Sequence, residues 1–257
     1  MSEVLTLSRA FFINSVREKL FLGLLVGTFL LFGLAEYLST LSLAEPFRVF
    51  SGFGSIAIWI IGILLIVTFC IFDFKKGFEN RSAQAILARP ISRWKYALAA
   101  FLSHSALLWL YSLGAFGIFW IWFRVSFGSW AVPVLYAFWV TALGLTLLAA
   151  LALLCASLFE TSILALIGFT GLFIVCLLNE PALSLAQRYS THSLSKWTNL
   201  AITYLLPSLS HYRPAEIMAH NLPPPFPELA WLATYTAFFC ASSLLLGSII
   251  FNARDLP

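Results

Sequence analysis

Apolar residues gather into six long stretches separated by shorter polar ones: residues 20–41, 54–72, 97–122, 132–158, 163–179 and 229–251. A helix that crosses the hydrocarbon core of a bilayer needs about 20 mostly apolar residues. The fifth stretch, ended by Glu180-Pro181, is nearest the short limit. Lipid offers no partner to an unpaired backbone group, so each stretch reads as a helix. The pattern predicts an all-α membrane protein, a single domain over 1–257 with six transmembrane helices.

The polar segments have patterns of their own. In 1–19, Val4, Leu7 and Phe11, with Leu5, Phe12 and Val16, recur at three- to seven-residue steps, and Ser8, Arg9, Asn14, Ser15 and Glu18 fall between them. This predicts an amphipathic helix at the membrane interface, though an ordinary flanking helix has the same pattern. Residues 42–53 and 123–131 read as short connections. The loop 180–228 is about 49 residues long, and loops of that length are usually structured or functional. Its apolar part, 197–206, suits an interfacial or re-entrant helix but is too short to cross. Pro207, Pro214 and Pro223-Pro224-Pro225 divide the loop into short pieces.

Composition agrees with the pattern. The chain is 61% hydrophobic and 10% charged, with mean hydropathy +0.92, against about 25% charged residues in soluble domains. The net charge of +4 comes from basic residues scattered between apolar stretches. That is no nucleic-acid-binding patch, but it does orient the chain. With both termini inside, inner segments hold ten Lys and Arg and outer segments five. The loop 73–96 alone holds six. The positive-inside rule then puts both termini in the cytoplasm. Cys70, Cys155, Cys176 and Cys240 all lie in apolar stretches and read as packing residues. Residues 1–19 are too polar and too long for the n-region of a cleavable signal.

The loop 73–96 carries the most information. Ala83, Gln84, Ala85, Leu87 and Ala88 favour helix, and Phe78, Ser82, Ala85 and Ile86 share a partly apolar face. Arg89-Pro90 ends that helix, because the residue before proline is pushed out of helical geometry. Ser92 can cap the next helix, from about Arg93. A short charged helix held between two spans can pass force to them from a soluble partner; it can also serve only as a positive-inside anchor.

Glu79-Asn80-Arg81-Ser82, then Ile86-Leu87-Ala88-Arg89-Pro90-Ile91-Ser92-Arg93 and Tyr96, resembles the loop after the second span of the ABC-type-two transport permease family. The likeness is closest to the nitrous-oxide-reductase maturation permease group. A Gly-Lys pair that follows in that group is replaced here by Ala99-Ala100. Arg17-Glu18-Lys19 before the first span, the long loop between spans five and six, and the tail 251–256 also fit the family layout. The resemblance implies a non-catalytic permease in a bacterial inner membrane. It would be a homodimer working with a separate cytoplasmic ATP-binding subunit that holds ATP and Mg. The segment 76–89 would be its coupling helix, with Glu79, Arg81, Arg89 and Arg93 in ionic contacts and Pro90 fixing the turn. The chain has no Gly-x-x-x-x-Gly-Lys-[Ser/Thr] loop of its own.

Other candidate residues stand singly along the chain. Glu36 is ~24 Å along the first helix from Leu20 at 1.5 Å per residue, which suits an interfacial carboxylate. Gly23 and Gly27 form a Gly-x-x-x-Gly step suited to helix or dimer packing. His104, between Ser103 and Ser105, reads as a hydrogen-bonded interior residue. His192, His211 and His220 are too widely spaced for a helix-borne zinc motif, so no metal or cofactor is expected in this chain. The competing reading is a membrane enzyme or assembly factor acting through 180–228 without an ATPase.

The charge count predicts that green fluorescent protein fused after Pro257 fluoresces in cells. It also predicts that alkaline phosphatase inserted at 129–132 is active, since that enzyme needs the outer side. The reverse pattern would invert the orientation.

Overall fold

The computed structural model describes residues 2–42, 45–79, 93–128, 133–189, 206–220 and 225–253. Among them the regular structure is helical: α1 (Ser2–Arg17), α2 (Lys19–Leu41), α3 (Pro46–Leu65), α4 (Phe74–Glu79), α5 (Arg93–Phe127), α6 (Pro133–Leu158), α7 (Ser162–Tyr189), α8 (Pro214–His220) and α9 (Phe226–Ala253). A π-helical segment, Ile66–Asp73, joins α3 to α4, and a 3₁₀ turn covers Leu209–His211. Six helices are long and apolar enough to cross a membrane: Lys19–Leu41, Pro46–Lys76, Trp94–Phe127, Pro133–Leu158, Ser162–Glu180 and Phe226–Ile250. This is the architecture of a multi-pass membrane protein. The six helices run alternately, so the start of α2 and the end of α9 share one end of the bundle, called here the terminal end.

Three boundaries differ from the sequence expectation. The second long helix starts at Pro46 and takes in most of the expected connection 42–53. Proline at the first helical position needs no N–H partner and has its φ already set. Phe47 and Phe50 then have a reason to be helical, since they pack on Phe123 and Phe127. The third long helix runs to Phe127, past the expected limit near 122. The fifth does not end at Glu180-Pro181 but continues to Tyr189. A proline removes one donor, its own, and membrane helices tolerate that loss. The expected helix at 197–206 falls almost wholly outside the described residues.

α6 is the axis of the bundle. Its residues from Leu147 to Leu153 are all buried, as expected of a helix apolar on every side. α9 packs along it closely enough that a Cβ at Gly247 would meet Ser157 Oγ at 3.2 Å. α2, α7 and α9 turn large apolar side chains outward, among them Leu30, Ile167 and Phe238. The half of the core away from the terminal end is aromatic. Phe119, Phe123 and Phe127 recur every four residues on α5 and stack successively. Phe50 of α3 stacks on Phe119 with centroids 5.0 Å apart, and Phe32 of α2 meets the same ring edge-on at 5.5 Å. Aromatic pairs in these geometries are worth about 0.5–1.5 kcal/mol beyond their buried area.

Gly54 lets this aromatic column form, since a Cβ there would run into the Phe119 ring. Gly171, by contrast, faces open space. Gly54→Leu is therefore expected to destabilise the protein by about 1–3 kcal/mol through overpacking. Gly171→Leu should leave stability nearly unchanged. Thermal unfolding in detergent micelles reads the difference.

Candidate functional site

The chain enters the 80–92 segment from α4 and leaves it into α5. Arg81, Arg89 and Pro90 lie outside the described residues; Glu79 is the last residue of α4 and Arg93 the first of α5. What the structure describes is the mounting of that segment. Pro46–Lys76 and Trp94–Phe127 contain 31 and 34 residues. At 1.5 Å per residue each is roughly 45–50 Å long, against a hydrocarbon core of about 30 Å. Both flanking helices therefore extend beyond the apolar layer.

The π-helical segment prepares the end of α3. Thr68 Oγ1 donates to the Leu64 carbonyl at 2.7 Å where the helix begins to widen. Phe69, Cys70 and Ile71 are buried in succession, followed by Phe74 and Lys75. Lys75 is only 6% exposed. Its Nζ donates to the Phe159 carbonyl and, at 3.2 Å, to the Glu160 carbonyl. Both carbonyls lie just past the end of α6, where helix geometry leaves carbonyls without amide partners. A cation there also complements the negative end of the helix dipole. Lys75 thus ties α4 to the turn between α6 and α7.

That turn is itself braced. Thr161 caps α7: its Oγ1 accepts the Leu164 amide at 3.3 Å and its carbonyl accepts the Ala165 amide at 3.0 Å. Phe159 lies against Gly168, where any Cβ would overlap its ring. On the other flank, Tyr96 of α5 is buried against Phe74 and Phe11, at centroid distances of 5.7 and 5.4 Å. Lys95 Nζ donates to Glu3 Oε2 at 2.9 Å. That hydrogen bond, with the charge behind it, holds the Glu3 carboxyl below its ordinary range. The two helices bounding 80–92 thus touch each other, and each is fastened to a different part of the bundle. The arrangement can transmit a displacement of the segment to α1, α6 and α7.

The remaining sequence candidates are dispersed. Gly27 faces Ile61 of α3 at an ordinary 3.8 Å, while Gly23 faces open space. Glu36 accepts from Trp122 Nε1 at 2.6 Å and from Ser126 Oγ at 2.8 Å, both on α5. His104 is buried, as expected of an interior residue, with the Ala100 backbone as its polar neighbour, although its Nδ1 makes no hydrogen bond of good geometry among the described residues. The four cysteines are buried and free. Among the described residues no three of His, Cys, Asp and Glu gather as a metal site.

Sequence reasoning counted Lys75 only as a topological charge. A signal was available, since Lys75 stands four residues after Ile71 and so shares its buried face. At the opposite end, it also missed how 206–220 docks. Tyr212 OH bonds Thr236 Oγ1 at 2.7 Å, and its ring lies over Gly144. Asn179 Nδ2 donates to the Leu206 carbonyl at 3.1 Å, and the Ser208 amide donates to Tyr235 OH at 2.9 Å. Burial pushes the Tyr212 phenol up. Compared with known proteins, the chain matches no family model and no curated protein.

Lys75→Met keeps much of the side-chain volume but removes the ammonium. It should cost about 1–3 kcal/mol, because two carbonyls lose a charged donor. Amide hydrogen exchange is expected to rise around 159–165 and to stay unchanged around 206–220. Equal exchange at both ends would contradict the bridge.

Proposed function

We propose that the chain is the membrane subunit of an ATP-driven transporter, coupling ATP hydrolysis in a separate cytoplasmic subunit to export or to mechanical work across the membrane. The observation that carries this reading is the mounting of the 80–92 segment. A stretch resembling the coupling loop of ABC-type-two permeases is fastened on one flank by Lys75 and on the other by Tyr96 and Lys95. A free anchor would need no such fastening, whereas an element that receives force does.

The other parts take their places around this. The loop faces the cytoplasm with both termini, as the excess of basic residues favours. α1 lies along the cytoplasmic interface, with Val4 and Phe11 turned toward α5 and Arg9 and Arg17 toward water and headgroups. The segment 206–220 caps the outer end. Two copies of the chain would assemble with two ATPase subunits in a bacterial inner membrane, and Gly23, which faces open space, is free for contact between copies. Glu79, Arg81, Arg89 and Arg93 would make the ionic contacts to the ATPase, and Pro90 would set the turn. Nucleotide and Mg belong to that partner.

Affinity purification of the full chain from its native membranes should bring down a phosphate-loop ATPase subunit in about equal amount. The double variant Glu79→Arg with Arg93→Glu is expected to lose that subunit at least tenfold while inserting normally, about 1.4 kcal/mol at the contact. Purification with no ATPase, together with a double variant that keeps full function in cells, would favour the enzyme or assembly-factor reading.

A further inference from the structure

The end of the bundle away from the termini holds a cleft of about 300 Å³ between 206–220 and the first turns of α9. That volume is at the lower end of the range of small-molecule sites. Its lining divides by chemistry. Val140 of α6 and Leu229 and Leu232 of α9 contribute an aliphatic part. Arg213, Glu216 and Glu228 contribute charge, and His211 and Trp231 contribute aromatic rings.

The charges are not balanced. Arg213 Nη1 is 2.9 Å from Glu216 Oε1, and its Nη2 is 3.8 Å from Glu180 Oε2. The one guanidinium lining the cleft among the described residues is thus already engaged by carboxylates. Glu228 has no ion-pair partner among the described residues. Glu228 stands in the first turn of α9, where it complements the helix dipole, and keeps its carboxylate open to a cation, whereas an anionic ligand would meet a net negative lining among the described residues.

The aromatic geometry favours the same sign. Trp231 follows Glu228 by three residues on α9, so the two are neighbours on one helix face. One face of the indole stacks on Tyr235, with centroids 5.1 Å apart and planes 27° apart. His211 stands edge-on to both rings, at 84° and 80°. Trp231 remains 51% exposed. An indole face attracts cations through its quadrupole, most strongly where water is partly excluded. The aliphatic part of the lining can cover a hydrocarbon chain attached to such a cation.

We propose that this cleft binds an amphiphilic cation: a primary or quaternary ammonium group carried on a hydrocarbon chain. The ammonium sits between the Glu228 carboxylate and the Trp231 ring, and the chain runs over Val140, Leu229 and Leu232. A free alkylammonium carries its charge directly on the chain, and an ethanolamine phospholipid presents a primary ammonium beyond a phosphodiester; both offer an ammonium together with aliphatic chain. The inference does not depend on an ATPase partner, because the cleft belongs to this chain alone.

The test uses the purified full chain in a neutral maltoside detergent, with Glu228→Gln and Trp231→Ala as variants; both positions are at the surface, so folding is expected to survive. Phosphatidylethanolamine and phosphatidylglycerol are offered together, and retained lipid is read by native mass spectrometry. Hexyltrimethylammonium is titrated separately by calorimetry. The expected result is about threefold or greater preference for phosphatidylethanolamine, or saturable hexyltrimethylammonium binding, reduced by about the same factor in either variant. The first outcome names a lipid as the source and the second a free cation. Equal retention of the two lipids with no hexyltrimethylammonium binding would overturn the proposal. So would binding that neither substitution weakens.

Discussion

Hydrocarbon offers no partner to a peptide N–H or C=O, and a buried group left unpaired there costs several kcal/mol. Inside a helix the problem does not arise. It returns at every helix end, where the last carbonyls lose their amides. The turn between α6 and α7 is a case in point: it follows the most buried helix of the bundle, and although Leu158, Glu160 and Thr161 are themselves exposed, it turns two carbonyls toward the buried Lys75. Lys75 meets that demand from another helix, by placing an ammonium on the carbonyls of Phe159 and Glu160. A local requirement for satisfied carbonyls thus becomes a tie between α4 and α6–α7. The rest of the terminal end is arranged around it. The π-helical segment brings Lys75 onto the buried face, and Phe74 beside it reaches Tyr96 on α5.

The same economy of polar contacts holds inside the bundle. Thr28, Tyr111 and the Ile58 carbonyl form one buried cluster, with the hydroxyls 3.2 Å apart and Tyr111 OH 3.1 Å from the carbonyl. Trp109 Nε1 donates to Thr146, whose hydroxyl donates to its own helix at Ala142. Each cluster joins separate helices at a single point, as Glu36 does with Trp122 and Ser126, and the core around them is mostly apolar. Lipid tails are as apolar as leucine, so helix association in a membrane rests on close packing and on such bonds. Gly54, Gly62 and Gly144 supply the close packing. Side chains from neighbouring helices, those of Phe119, Leu145 and Trp59, occupy the space a Cβ would take.

Much of this was legible in the sequence, and the exceptions are instructive. Six long apolar stretches read directly as helices, since length and composition decide the matter in lipid. The limits of the stretches were less legible. Arg48 and the residues near it read as a polar connection, yet Pro46 begins a helix there because Phe47 and Phe50 have aromatic partners on α5. Pro181 read as a stop, yet one missing donor does not end a helix. Lys75 read as one basic charge among six in its loop. Its role depends on a turn 84 residues away, and no local pattern carries that distance. The cleft at the opposite end was illegible for the same reason, since Val140, Arg213 and Glu228 come from three separate elements.

The proposed function makes the 80–92 segment the surface on which a cytoplasmic ATPase would act. A photo-crosslinking amino acid placed at Ala85 in native membranes tests it most directly. The expected result is one dominant adduct whose partner, identified by mass, carries a phosphate loop, and whose yield changes when ATP is trapped on that partner. Adducts only to lipid, or to a protein without a phosphate loop, would contradict it.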